Sequence, residues 1–183
     1  MAEPTTALKD TAACGTQPAP PCTLVIFGAG GDLTKRLLMP SLYNLAGAGL
    51  LSEGFSILGI DHNDGTDESL RENLTQTLEA FSKDPTSEFH ADHIDPKSWG
   101  FIRDRLHYLK GDFEKPETYA AVKQRVTGSA VFYCAVAARF FGTIVDGLGQ
   151  AGLLKQEGDT FRRVVIEKPF GSDLASARDL NAR

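Results

Sequence analysis

A glycine-rich turn is the feature of this sequence with the clearest chemistry. The segment Gly28-Ala29-Gly30-Gly31-Asp32-Leu33 directly follows the apolar run Cys22–Phe27 and opens a helical stretch, Leu33–Ala48. Glycine has no Cβ, so backbone N–H groups in such a turn can approach an anion, and the helix start adds unpaired amides and its dipole. A strand, a glycine turn and a helix in this order predict a phosphate-binding site.

The turn departs from two standard phosphate-binding patterns. The usual dinucleotide fingerprint has a third glycine where Leu33 stands. A P-loop requires Gly-Lys-Ser/Thr, whereas Lys35 is followed by Arg36, which excludes that motif. Lys35 and Arg36 could approach a pyrophosphate, or they could be solvated surface charges. The alternative to a phosphate-binding site is that these glycines form a tight turn that binds no ligand.

Lys168 is a second candidate for chemistry. It follows the apolar run Arg163–Ile166, and open parallel sheets bind ligands at the carboxyl ends of their strands. An ammonium group there can hydrogen-bond sugar hydroxyls or phosphate, and Pro169 restricts the turn that aims it. An exposed lysine at a strand end, without a function, is the alternative.

These residues are positioned by an alternation of apolar runs and helical stretches. The remaining strand candidates are Phe55–Ile60, Leu106–Leu109 and Ala130–Val136. Several are continuous apolar runs, as expected for strands covered on both faces. Further helices are predicted from an N-cap at Thr66 to about Phe81, and over Pro96–Arg105, Pro116–Val126, Phe140–Gly149 and Asp173–Ala182. The alternation predicts a Rossmann-like α/β fold, doubly wound, with a mainly parallel sheet and helices on both faces.

The amino-acid composition argues against several other classes of function. Nineteen basic against 24 acidic residues give a net charge of −5, so no electrostatic footprint for nucleic acid or an anionic membrane is expected. No stretch approaches the roughly 20 apolar residues of a membrane-spanning helix. The three cysteines, Cys14, Cys22 and Cys134, are too few and scattered for a disulfide framework or a metal site, and they suit a reducing compartment.

The chain length fits one domain. Residues 1–21 are rich in Ala, Thr and Pro, and we expect a disordered tail there, followed by one dinucleotide-binding domain over residues 22–183. The tail has no apolar signal core and no arginine, so a cytoplasmic location is expected. The polar segment from Asp84 to Asp95 is predicted to be a long surface loop.

Three segments together resemble the glucose-6-phosphate dehydrogenase family. The stretch from Gly28 to Arg36, followed by Pro40, is similar to the family's coenzyme loop, a Gly-x-x-Gly-Asp-Leu pattern. The run Val131–Val136 resembles its fourth strand. The segment Glu167-Lys168-Pro169-Phe170-Gly171 is close to its Glu-Lys-Pro-Phe-Gly signature. The resemblance covers the chain from about Cys22 onward.

The resemblance implies oxidation of β-D-glucose 6-phosphate at C1, with hydride transfer to the nicotinamide of NADP or NAD and without a metal. Lys168 would contact both substrate and coenzyme. The resemblance implies that the family's second, C-terminal substrate domain, with its general-base histidine, is absent from this chain. None of the four histidines matches that base: His62, His90, His93 and His107. The 183-residue chain alone is therefore expected not to turn over, and the full-length protein is expected to be a homo-oligomer.

The segment after the second strand departs from the family pattern. Asp61-His62 stands where NADP-preferring members have an arginine in place of His62. An arginine binds a 2′-phosphate through two parallel hydrogen bonds. A carboxylate at the end of a strand instead accepts hydrogen bonds from the ribose hydroxyls and repels that phosphate. We expect the full enzyme to use NAD, or both coenzymes, more readily than arginine-bearing relatives. Turn formation by Asp61 and Asp64 before Gly65 is the alternative.

Two weaker coenzyme contacts are predicted at other strand ends. The family's paired prolines after strand four are replaced by Ala137-Ala138, and Ala135 is retained as a contact near the nicotinamide half. Asp112, after the third strand, could lie near the adenine side, and a turn-forming aspartate is the equal alternative.

A non-enzymatic dinucleotide sensor is the competing function. A Rossmann module that reports coenzyme state would need the glycine turn but no substrate-facing lysine. Lys168 within its signature therefore favours the enzyme over the sensor. The fold alone does not decide, because this architecture hosts many functions.

Overall fold

The computed structural model describes residues 17–87, 89, 91, 93–168 and 178. Five strands form one parallel sheet: β1 (Thr23–Phe27), β2 (Ser56–Asp61), β3 (Leu106–Lys110), β4 (Ala130–Cys134) and β5 (Arg162–Ile166). The strand order is β3-β2-β1-β4-β5, and every neighbouring pair is parallel. The predicted doubly wound α/β fold is confirmed.

Within the described residues, five α-helices connect the strands. They are α1 (Met39–Gly47), α2 (Asp67–Lys83), α3 (Pro96–Arg103), α4 (Pro116–Arg125) and α5 (Phe141–Gln150). One buried apolar cluster joins the sheet to α1, α2 and α3, and a second joins its opposite face to α4 and α5. Because both faces are covered, β1 and β2 are buried along nearly their whole length.

Local capping chemistry explains where the helices begin. The Thr66 side chain accepts from the Ser69 amide, and the Ser69 hydroxyl accepts from the Thr66 amide, so α2 starts with a complete capping box. Asp95 caps α3 through the Ser98 amide. The N-cap predicted at Thr66 is confirmed.

The first helical stretch differs from the prediction of one regular helix over Leu33–Ala48. A π-helical turn, Thr34–Leu38, precedes α1, and the Met39 amide donates to the Thr34 carbonyl five residues back. Pro40 follows directly; it has no N–H and its ring would crowd the carbonyl of the fourth residue before it in a regular α-helix. The wider turn relieves that conflict, and such turns are frequent at functional sites.

Other segments add detail at the edges of the domain. The Ala19 amide donates to the Leu50 carbonyl at 2.9 Å, so this residue of the predicted tail contacts the domain. Within the predicted loop Asp84–Asp95, Phe89 is buried and its ring meets that of Tyr43 edge-on. The predicted helix Asp173–Ala182 lies outside the described residues, apart from Arg178, which is helical.

In the part of the chain that the structure describes, no helix combines the length and apolar character needed to cross a membrane.

Candidate functional site

The strand register brings the predicted site residues to one edge of the sheet. Phe27 pairs with Ile60 on one side and with Cys134 on the other, and Cys134 pairs with Ile166. Because all strands run the same way, the residues that follow them share the carboxyl edge. These residues are Gly28, Asp61, Ala135 and the Glu167–Lys168 pair.

Gly28 is required at its position for two separate reasons. Its φ is +91°, a backbone conformation that L side chains rarely adopt. A Cβ there would also lie 2.4 Å from the Ala135 carbonyl oxygen. The Ala135 amide in turn donates to the Phe27 carbonyl at 2.9 Å. The end of β4 therefore packs directly on the glycine turn.

The amides of the glycine turn are used inside the protein. Gly28 and Ala29 both donate to the Ile60 carbonyl, and Gly31 donates to the Gly28 carbonyl. The Gly30 amide donates to Asp61 Oδ2 at 2.9 Å. The turn is thus tied to the end of β2 by three hydrogen bonds.

The amides that remain for an anion belong to the first helical turn. The first helical hydrogen bond runs from the Lys35 amide to the Gly31 carbonyl. Asp32, Leu33 and Thr34 are therefore the first helical residues, whose amides have no acceptor within the helix. Predicted phosphate contacts at Asp32 and Leu33 fit this geometry better than contacts through the amides of Gly28, Ala29, Gly30 or Gly31.

Asp61 lies at the end of β2 as a nearly buried carboxylate, with 7% of its surface exposed. Besides the Gly30 amide on Oδ2, its Oδ1 accepts from the Asn63 side-chain amide at 3.1 Å. The His62 ring reaches the same oxygen, with 3.1 Å between Nδ1 and Oδ1. The Asn63 backbone amide also donates to Oδ1, at 3.4 Å. Each carboxylate oxygen has about two acceptor positions. The position left for a ribose hydroxyl is therefore on Oδ2, where the Gly30 amide is the donor among the described residues.

The two basic residues after the turn lie in different surroundings. Arg36 donates to Asp32 Oδ1 at 2.8 Å, and its guanidinium stacks over the Phe81 ring. It thereby lines a cleft of about 410 Å³ between the helix start and the end of α2. Lys35 is half-buried. Among the described residues, Arg36 makes contacts that would compete with a pyrophosphate, and no such contact is found for Lys35.

Asp112 is a turn-forming residue. Its Oδ1 accepts from the Glu114 amide at 2.9 Å, and its carbonyl accepts from the Thr118 hydroxyl at 2.7 Å. The side chain lies on the exposed surface just before α4. These contacts support the turn alternative, and a contact with the adenine side remains a prediction.

Lys168 is exposed at a bend just beyond β5. Its neighbour Glu167 accepts a hydrogen bond from the hydroxyl of Tyr133 on β4. Burial, with the Glu167 carboxylate second, raises the pKa of Tyr133 well above its usual range, so the phenol keeps its proton for this bond. The contact fixes the strand end from which Lys168 projects. Pro169, Phe170 and Gly171 lie outside the described residues.

Cys134 on β4 is a structural residue, as its apolar run predicts. It is fully buried, and burial raises the pKa of its thiol to about 12. A thiol held protonated is a poor nucleophile.

Two residues that support the site were not predicted from the sequence. The buried Thr34 hydroxyl donates to the Gly28 carbonyl at 2.9 Å and so braces the turn. Asn63 holds Asp61 from the opposite side. The only feature of the sequence that could have predicted the role of Thr34 is a hydroxyl residue three positions after the last glycine. For Asn63, the sequence shows only that it lies in a polar turn.

A parallel sheet, a glycine turn at the first helix and a carboxylate at the end of β2 define a dinucleotide-binding domain of the Rossmann type. The family model for the glucose-6-phosphate dehydrogenase NAD-binding domain matches residues 25–183. The chain belongs to this family, and the matched part is its NAD-binding domain.

Individual relatives agree with this assignment. The chain is 35% identical over 178 residues to a glucose-6-phosphate 1-dehydrogenase of Chlamydia muridarum, covering 90% of this chain and 34% of that protein. It is 36% identical over 169 residues to one of Dickeya dadantii, covering 91% of this chain and 32% of that protein. The chain thus spans about a third of the length of the curated relatives it matches.

Solved structures show the same arrangement. A glucose-6-phosphate 1-dehydrogenase from Mycobacterium avium superposes with a TM-score of 0.76 at 31% identity, over 89% of this chain and 33% of that one. A glucose-6-phosphate dehydrogenase in complex with its substrate glucose-6-phosphate gives a TM-score of 0.73 at 28% identity, over 91% and 34%. The predicted family is confirmed.

Proposed function

We propose that this chain is the coenzyme-binding part of an enzyme that oxidises β-D-glucose 6-phosphate at C1 to a 6-phosphogluconolactone. The observation that carries the proposal is the convergence of the glycine turn, Asp61 and Lys168 on one sheet edge within a chain of this family. A relative's structure is described with glucose-6-phosphate as its substrate. We propose the same substrate for the enzyme to which this chain belongs.

The site residues fit a nicotinamide dinucleotide. A side chain at Gly28 would collide with the Ala135 carbonyl, so glycine lets the end of β4 pack against the turn and hold it at the sheet edge. The amides of Asp32, Leu33 and Thr34 supply donors for the pyrophosphate at a helix start. Asp61 supplies acceptors for the hydroxyls of the adenosine ribose. The nicotinamide, when bound, accepts the hydride that leaves C1 of the sugar.

Lys168 is the residue of this chain that we assign to the sugar phosphate. Its exposed ammonium group follows β5 at the coenzyme edge, where it can donate hydrogen bonds to sugar hydroxyls or phosphate. The Tyr133 hydroxyl donates to Glu167, the residue before Lys168, and thereby orients the end of the strand. Removal of the C1 hydroxyl proton needs a general base, a role that we give to none of the histidines of this chain.

The coenzyme preference follows from the charge at the end of β2. Asp61 is buried and close to the Gly30 amide, so a 2′-phosphate placed beside it meets a negative charge in poorly hydrated surroundings. We assign the site to NAD, or to both coenzymes, rather than to NADP alone.

Calorimetric titration of the 183-residue chain with NAD and with NADP tests the proposal. Binding of NAD as tight as, or tighter than, NADP supports it. Failure of a folded sample to bind either dinucleotide would contradict it. A second assay adds glucose 6-phosphate and coenzyme to the same sample, and no reduced coenzyme should appear. Reduction would show that the chain contains its own general base.

We also propose a cellular location and an oligomeric state for the protein. Cys22 and Cys134 are free thiols, which suits a cytoplasmic location. We also propose that the full-length protein is a homo-oligomer, without nucleic-acid or membrane partners, in keeping with the net charge of −5.

A further inference from the structure

Tyr108 of β3 contacts the β2–α2 loop, residues 62–65, at two points. Its hydroxyl donates to the Asn63 carbonyl at 2.6 Å. Its ring packs against Gly65, where an added Cβ would lie 3.0 Å from the ring. Only 9% of the surface of Tyr108 is exposed, and the residue belongs to the apolar cluster that joins the sheet to α1, α2 and α3. A buried side chain of the neighbouring strand therefore holds the β2–α2 loop.

The backbone of Tyr108 is itself fixed by two helices. Its amide donates to Asp67 Oδ1 at 2.6 Å, and its carbonyl accepts from the Arg125 guanidinium at 2.9 Å. In the described sheet β3 is an edge strand. Side chains from the start of α2 and the end of α4 thus supply bonds that a further strand would supply in the middle of a sheet. The position of the Tyr108 ring therefore does not depend on the loop that it holds.

Asn63 connects Tyr108 to the carboxylate at the end of β2. Its side-chain amide donates to Asp61 Oδ1 at 3.1 Å, and its backbone amide donates to the same oxygen at 3.4 Å. The Gly30 amide donates to Oδ2 at 2.9 Å. Because Asn63 holds one oxygen and Gly30 the other, the free acceptor position on Oδ2 has a fixed direction.

The Tyr108 hydroxyl acts as the donor in its bond, since a carbonyl only accepts. Burial, followed by the charges of Asp61 and Asp64, raises the pKa of this phenol above its usual value. The hydroxyl therefore keeps its proton at neutral pH, and the bond to Asn63 persists. Phenylalanine at this position would keep the ring against Gly65 but would remove the donor from the Asn63 carbonyl.

We propose that Tyr108 is a positioning residue for the coenzyme, which holds Asn63 and thereby fixes the Asp61 carboxylate in the orientation that receives the ribose of NAD. This inference rests on the proposed binding of a dinucleotide at this edge. NAD binding gains from a carboxylate that is already oriented, because less freedom is lost when the ribose binds. NADP gains less, since its 2′-phosphate takes the place of a hydroxyl that would donate to Asp61. Tyr108 thus contributes to the preference for NAD through Asp61.

Calorimetry with NAD and NADP on wild type, Tyr108→Phe and Tyr43→Phe tests the proposal. Tyr43→Phe is the matched control, because Tyr43 packs against the same apolar cluster and its hydroxyl accepts from the Asp95 amide at 2.9 Å, away from the β2–α2 loop. A loss of global stability alone would leave both Kd values unchanged while the samples stay folded, which circular dichroism checks. Hydrogen exchange at the Gly30 amide, measured without coenzyme, reports whether Asp61 stays in place.

Tyr108→Phe should raise the NAD Kd about three- to tenfold, the size of one neutral hydrogen bond, with a smaller change for NADP. The Gly30 amide should exchange faster than in wild type, and Tyr43→Phe should match wild type in all three measurements. An unchanged NAD Kd, an unchanged exchange rate at Gly30, or equal losses for NAD and NADP would each overturn the inference and leave the proposed function standing. A folded wild-type chain that binds no dinucleotide would contradict the proposed function and this inference with it.

A second variant tests the route through Asn63. Asn63→Ala keeps the carbonyl that Tyr108 binds but loses the side-chain amide that holds Asp61, so it should also weaken NAD binding more than NADP binding. Adding Tyr108→Phe to Asn63→Ala should change the NAD Kd by less than about twofold, because residues that act through one another are not additive. Losses that multiply would overturn the route. Should Tyr108→Phe not fold, an unchanged NAD Kd in Asn63→Ala would still overturn the inference.

Discussion

The Gly30 amide donates a hydrogen bond to Asp61 Oδ2 at 2.9 Å, across 31 residues of sequence. This bond joins the turn expected to hold the pyrophosphate to the carboxylate expected to hold the ribose. A Cβ added at Gly30 would lie 3.0 Å from the same oxygen, so the close approach depends on glycine. The two halves of the proposed coenzyme site are therefore held together by the protein itself.

Replacing Asp61 should separate the two coenzymes. We expect Asp61→Ala to weaken NAD binding by roughly 10- to 100-fold, because hydrogen bonds to charged groups contribute about 1.5–3 kcal/mol. NADP binding should be unchanged or tighter, since a repulsive charge is lost. Asp64→Ala is the matched control, because Asp64 is 92% exposed and pairs with Lys110. Equal losses for NAD and NADP in Asp61→Ala, measured by calorimetry, would show that Asp61 only holds the turn.

Gly28→Ala should unfold the coenzyme edge. A side chain at this φ costs on the order of 1–3 kcal/mol, and the contact with the Ala135 carbonyl adds to that. We expect the free energy of unfolding in urea to fall by more than about 2 kcal/mol. Gly128→Ala provides the control, because a Cβ there meets nothing within 4 Å, and its effect should stay within about 0.5 kcal/mol. Similar effects at both positions would refute the close packing at Gly28.

Two glycines of α5 should respond to alanine with opposite signs. A Cβ at Gly147 would lie 2.3 Å from the ring of Tyr119, whose hydroxyl is held by the Phe113 carbonyl at 2.6 Å. Gly147→Ala should destabilise the domain by about 1–3 kcal/mol through overpacking. At Gly149 a Cβ meets nothing, so Gly149→Ala should gain up to about 1 kcal/mol of helix propensity. Thermal unfolding of both variants measures the difference, and a stabilised Gly147→Ala would mean that α4 and α5 pack differently.

Asp67 should make the stability of the domain depend on acid pH. Burial alone would raise its pKa, but hydrogen bonds from the Tyr108 amide and His107, together with Arg71, lower the pKa below its usual value. A pKa lowered by folding means that the carboxylate stabilises the native state above its unfolded pKa, near ~3.9. That contribution is lost as the pH falls through the folded value. The difference in unfolding free energy between wild type and Asp67→Asn should therefore shrink between about pH 5 and pH 2, and a constant difference would contradict this role.

The strands were predictable because their chemistry is local. Buried parallel strands appear as continuous apolar runs. The predicted β2 is displaced by one residue at each end, and the predicted β3 is one residue short at its end. The run Ala130–Val136 was predicted two residues too long, since β4 ends at Cys134. Ala135 and Val136 are apolar because they pack on the glycine turn, which a periodicity argument does not distinguish from strand pairing.

The features that were not predicted depend on tertiary contacts. The π-helical turn arises where Pro40 meets a helix start already fixed by the glycine turn. Phe89 lies in a polar segment, and its burial is explained by its packing in the apolar cluster on α1, α2 and α3, where its ring meets that of Tyr43. The bond between Gly30 and Asp61 joins two residues that were predicted separately. Sequence patterns gave the residue types at the site, whereas their mutual contacts required the sheet register.

The most direct test of the account is an amide-resolved NMR titration of the chain with NAD. Coenzyme binding at the carboxyl edge predicts the largest shifts at the amides of Asp32, Leu33 and Thr34, with further changes at Gly30 and Asp61. The amides at the end of α4, from Val122 to Arg125, should not move, because α4 covers the opposite face of the sheet from α1, α2 and α3 and its end lies away from the carboxyl edge. Shifts confined to α4 and α5, or a folded chain with no shifts at saturating NAD, would contradict the assignment of this edge as the coenzyme site.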